Sequence, residues 1–144
     1  FMYFKGLGIL KDVLDDTGVK GVSRLKTAVI LGIMAVILGW IPLLGGILAG
    51  ILLLASFIFE YIGYGSLKQS TALGMEGHMG AGKLRTSMIL LVIAAFIDFF
   101  PMTGIVVGII SIIALWLIFN GWSMILLGME DEMNKWEASK EQLQ

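Results

Sequence analysis

The chain has no cysteine, which excludes disulfides, thiolate metal centres and a cysteine nucleophile. Histidine occurs once, at His78, so imidazoles cannot assemble a metal site within one chain. Its serines are scattered without a base to activate them, and no catalytic arrangement is expected, nor any cofactor. Charge is scarce: 15% of residues are Asp, Glu, Lys or Arg, and a net charge of -1 offers nothing to nucleic acid. Proline is confined to Pro42 and Pro101, which leaves long stretches without a helix breaker. The first twenty residues carry Lys5, Lys11, Asp12, Asp15 and Asp16, too much charge for a cleavable secretory signal.

What is present is apolar. Hydrophobic residues make up 58% of 144, with a mean hydropathy of +0.92, more than a soluble domain of this size can bury. Both prolines lie in short elbows, Gly39-Trp40-Ile41-Pro42-Leu43-Leu44-Gly45-Gly46 and Asp98-Phe99-Phe100-Pro101-Met102-Thr103-Gly104-Ile105. A proline followed three residues later by glycine (Gly45, Gly104) ends one helix and lets the chain reverse. The pattern predicts an all-α integral membrane protein of four spans, arranged as two tandem helix-Pro-Gly-helix hairpins. Its divisions are an interfacial amphipathic segment (1–23), hairpin one (24–64), a glycine-rich loop (65–82), hairpin two (83–128) and an acidic amphipathic helix (129–144).

The hairpins match at an offset of 59. Lys26-Thr27 meets Arg85-Thr86, Pro42 meets Pro101, Gly45 meets Gly104, Ile51 meets Ile110 and Ala55 meets Ala114. Two spans per copy give parallel rather than inverted repeats. Neither elbow holds any of the ten Lys and Arg residues, so the termini and central loop are expected in the cytoplasm, in a prokaryotic cytoplasmic membrane.

Both ends carry helical stripes. Met2, Phe4, Leu7, Leu10, Val13 and Leu14 form one, suited to the headgroup region, a partner or the bundle itself. Met129, Met133, Trp136 and Leu143 form the other, ringed by acids, and are candidate partner contacts. Gly46-x-x-x-Gly50 and Gly104-x-x-x-Gly108, with Gly32 and Gly39 on span one, are candidate helix-packing positions. Asp98 and Glu60 are the carboxylates nearest to apolar sequence and the candidate ion or proton site. Gly77-His78-Met79-Gly80-Ala81-Gly82-Lys83 has the spacing of a phosphate-binding loop. Leu84 follows where Ser or Thr would hold magnesium, so a flexible connector, an exposed loop histidine and no nucleotide are expected.

Leu31-Gly32 and Ile41-Pro42-Leu43-Leu44-Gly45-Gly46-Ile47-Leu48 resemble the first hairpin of small uncharacterised prokaryotic membrane proteins with an LG…IP.xGG.L pattern, over residues 27–62. The second copy departs from it, with Asp98 for Gly39 and Ile105 for Gly46. The resemblance implies a multi-span membrane fold and assigns no activity. The residues predict a non-catalytic subunit that scaffolds a larger membrane complex, its partners being lipid and either other subunits or itself. The alternatives are an oligomeric transporter or channel using Asp98, Glu60 or Asn120, and a membrane-shaping hairpin protein.

Overall fold

In the computed structural model, residues 2–41, 44–97 and 104–141 are described, and every regular element among them is helical. Helix α1 is Met2–Val13, α2 Asp16–Gly39, α3 Leu44–Lys68, α4 Gly74–Ile97 and α5 Gly104–Glu141, with a single 3₁₀ turn at Thr71–Leu73. Four of the helices, α2 to α5, are long and apolar enough to cross a membrane. The chain is an integral membrane protein built from two helical hairpins, α2–α3 and α4–α5, each packed chiefly within itself. A lesser seam joins α3 to α4.

Small residues at heptad spacing make each hairpin seam. On α2 the row runs through Gly18, Gly21, Leu25, Ala28, Gly32, Ala35 and Gly39; on α3 it runs through Ala49, Ser56, Gly63 and, just past the helix end, Ser70. A three-four repeat keeps one face on the partner helix, and its small side chains let the backbones approach. An added Cβ at Gly21 would lie 2.9 Å from the Gly63 carbonyl oxygen, and one at Gly63 would lie 3.0 Å from Leu25. The second hairpin repeats this geometry. A Cβ at Gly80 would lie 2.5 Å from the Gly121 carbonyl oxygen, and one at Gly121 would lie 2.8 Å from Leu84. By these contacts the first helices correspond at an offset of 59 (Gly21 to Gly80) and the second helices at 58 (Gly63 to Gly121). The uniform offset that paired Ala55 with Ala114 is therefore one residue out of register on α5.

The core lies toward one end, away from the elbows. Leu7, Leu10, Val22, Leu25, Tyr64, Leu67, Leu73, Leu84 and Ile125 are buried there together. Two expected boundaries change as a result. Residues 1–23 are not one interfacial segment: α1 stops at Val13, Asp15 caps α2, and the α1 stripe turns Leu7 and Leu10 onto the bundle, where they are 2% and 6% exposed. Residues 65–82 are not a loop. Lys68 ends α3, Gly74 starts α4 at φ +61°, a left-handed conformation natural to glycine, and the glycines that suggested flexibility are helical. Gly77 and Gly80 are buried against α5, and a Cβ on Gly128 would strike the Leu73 carbonyl oxygen and the Gly77 backbone. The acidic tail, helical as expected through Glu141, continues span four as the last part of α5.

Asp15 ties this end together. It accepts from the Gly18 N–H at 2.9 Å as the α2 cap, from the Ser70 hydroxyl, and from the Thr71 N–H and hydroxyl at 3.1 Å each. These bonds hold its carboxyl down to about 2. The Ser70 hydroxyl is the largest cause; partial desolvation opposes it, and the Gly18 and Thr71 bonds add to it.

Candidate functional site

The polar groups of the spans gather toward the connector end. Arg24 donates to the Ser66 hydroxyl at 2.6 Å, Lys83 to the Asn120 carbonyl oxygen at 2.7 Å and Arg85 to the Tyr61 hydroxyl at 2.6 Å. Arg85 also lies 4.2 Å over the Tyr61 ring, which stacks on Phe57. Its Nε is buried and has no hydrogen-bond partner among the described residues. Thr27 and Thr86 donate to the carbonyls four residues back, at Ser23 and Gly82. Each of these cations is thus bonded to a neutral acceptor. Ion pairs among the described residues are confined to the tail, where Lys135 meets Asp131 at 3.0 Å and Glu132 at 2.9 Å.

Glu60 is half-buried on α3 and lines a groove against α4 with Ser56, Phe57, Met88, Leu91 and Val92. It is the one carboxylate of that lining. Asp98 lies outside the described residues, as do Pro42, Pro101 and Leu143. The groove thus places a carboxylate inside a span, beside a Ser56 hydroxyl that donates to the Ala28 carbonyl at 2.7 Å.

No protein-family model, curated protein or solved structure matches this chain.

The expected packing glycines divide into two groups. Gly32 and Gly39 stand in the hairpin-one seam, where an added Cβ would come 3.6 Å from Ser56 Oγ and 3.8 Å from the Ala49 Cβ. Gly45 is buried at the turn into α3, and a Cβ there would strike the Leu38 carbonyl oxygen. A Cβ added at Gly46, Gly50, Gly104 or Gly108 would instead meet no described atom within 4 Å beyond its own helix backbone. The close approaches within hairpins fall at Gly21, Gly63, Gly80, Gly121 and Gly128. Glycines or other small residues seven apart are the signal that finds them, and the Gly-x-x-x-Gly spacing passes over them.

On the tail, Met129 packs against the core, whereas Met133 and Trp136 are 52% and 58% exposed and line a cleft with Asp12, Val13 and Ala72. Trp136 carries Lys140 Nζ 3.6 Å from its ring centre. His78 is no loop residue: it is half-buried on α4, in a groove with Lys68 and Lys83. Asn120, considered above for a polar path, receives the Lys83 ammonium.

Proposed function

We propose that this chain is a non-catalytic subunit that scaffolds a larger membrane complex through the outer faces of α3 and α5. The observation that carries this reading is the pair Gly46-x-x-x-Gly50 and Gly104-x-x-x-Gly108, opening the second helix of each hairpin, where an added Cβ would meet open space among the described residues. In lipid, small residues four apart allow another helix to approach closely, and here that helix comes from another chain. The matched seams are read as an internal duplication that presents the same small-residue face twice. The termini and the 69–73 connector are placed in the cytoplasm with the Lys and Arg residues, and the elbows on the far side.

The test uses the open space around these glycines. Gly46→Ile with Gly50→Ile, and separately Gly104→Ile with Gly108→Ile, leave the isolated chain with nearly unchanged thermal stability. Native mass spectrometry of gently extracted protein then shows loss of the associated subunits. Complexes of unchanged composition from both double variants would rule the reading out.

A transporter is the second reading, and the Glu60 groove favours it. In that case Glu60→Gln abolishes flux of protons or a small cation into liposomes while folding is preserved. Flux equal to wild type removes it.

A further inference from the structure

The groove that holds His78 differs in character from the Glu60 groove. Lys68, His78, Lys83 and Thr86 line it with Met75, Met79 and Leu117, and no carboxylate is among them. The acids that α4 and α5 carry nearby lie elsewhere: Glu76, Glu130 and Asp131 share a separate cleft. Lys68, at the last turn of α3, extends over α4, its Nζ 4.0 Å from where a Cβ on Gly82 would stand. Lys83 follows Gly82, is bonded to the neutral Asn120 and lies 5.9 Å from the centre of the Trp116 ring. Two ammonium groups thus converge on one groove without a carboxylate to neutralise them.

Depth gives this convergence a meaning. About fourteen residues of helix, roughly 21 Å, separate Lys83 from Ile97 at the elbow end of α4. A hydrocarbon core is about 30 Å thick, so the Lys83 backbone lies roughly 9 Å inside its opposite edge, a distance that a long lysine stem largely spans, while Lys68 comes from the last turn of α3. Toward the elbows, the helical line from Thr86 continues to Ile93, and that from Leu117 to Ile113; these isoleucines are 43% and 47% exposed. Cationic donors within reach of lipid phosphates, followed by an apolar track along the spans, match the two parts of a phospholipid.

We infer that the α3–α4–α5 groove binds the phosphate of an anionic phospholipid through Lys68 and Lys83, with its acyl chains along Ile93 and Ile113. Charge-assisted bonds from the two ammonium groups hold the phosphate, with the Thr86 hydroxyl and the His78 ring beside it. Asn120 takes one of the three Lys83 ammonium protons and leaves the others for the phosphate.

Native mass spectrometry of the full chain, released from detergent with added lipid, tests this. Phosphatidylglycerol should remain bound in preference to phosphatidylcholine. Lys68→Gln should lower its retention about fivefold and the Lys68→Gln, Lys83→Gln pair about 25-fold, taking each cation near an anionic surface at its usual worth. The Lys68 side chain makes no hydrogen bond among the described residues, so its single variant keeps the test open if the pair does not fold. Lys5→Gln with Lys11→Gln, on the exposed face of α1, is the control. Equal retention of the two lipids, no response to Lys68→Gln, or an equal response to the control would overturn the inference. Glycerol phosphate in the same buffer separates the sources: displacement of phosphatidylglycerol at matched concentration would mean a soluble phosphate ester is the ligand and would sink the lipid assignment.

Discussion

An alanine at Gly21 would bring its methyl group 2.9 Å from the Gly63 carbonyl oxygen and 3.0 Å from the Leu67 nitrogen, backbone atoms that cannot swing aside. At Gly80 the nearest atom is again a carbonyl oxygen, that of Gly121. Gly21→Ala and Gly80→Ala should each cost about 1–3 kcal/mol through overpacking. Gly46→Ala and Gly104→Ala should stay within about 0.5 kcal/mol, read as unfolding midpoints in detergent. Seven-residue spacing was in the sequence all along, but Gly18, Gly21, Ala28, Ser56 and Gly63 differ in type and do not form a recognisable motif. Asp15 was legible as a charge before a helix; that Ser70 and Thr71 would reach it from across the fold was not, because the partners are fifty-five residues or more away. Its carboxyl, held down to about 2, binds protons more weakly folded than unfolded, where it titrates near 3.8. The stabilisation it provides is therefore full above about pH 4 and disappears as the pH falls through about 2. Asp15→Asn, with a neutral cap left in place, should flatten this acid limb of the stability curve.

At the scale of elements, hairpins and spans could be read from apolar runs and two prolines, because lipid leaves few other solutions for such a chain. The starts of helices could not. Glycine counts as a breaker in water, where its freedom in the unfolded chain costs about 1 kcal/mol in a helix. In α4 it serves close packing instead, so Gly77 and Gly80 lie inside a helix where a loop was expected. The first segment was undecided between headgroups, a partner and the bundle, since a stripe such as Leu7 and Leu10 does not name its surface. With both leucines buried, Leu7→Ala or Leu10→Ala should cost about 2–3 kcal/mol locally. Hydrogen exchange should then speed up across α1 and remain slow in α2. Equal acceleration in both helices would mean that α1 is part of the α2 folding unit rather than docked upon it.

The whole molecule is fastened at one end. Leu73 is fully buried, wedged against Gly77 and Gly128, while Ile105 at the other end is 81% exposed. Lipid is as apolar as leucine, so trimming a lipid-facing side chain loses little, whereas a cavity between packed helices forfeits contacts outright. Leu73→Ala should therefore cost about 2–5 kcal/mol and Ile105→Ala close to nothing, measured in the same bilayer mimic. A charge map of the chain locates this end, since the basic residues avoid the elbows. It does not show that the end is the closed one; that follows from Ser70 and Leu73, which no hydropathy pattern distinguishes from a loop. The short stretch joining the two hairpins is consequently a poor place for a fused reporter, an epitope or an engineered protease site. Whatever is spliced between Ser70 and Leu73 must first prise apart four helices, and a silent reporter there would record misassembly rather than which side of the membrane it faces. Sidedness should be mapped from residues 137–140, which are exposed and leave room for a passenger.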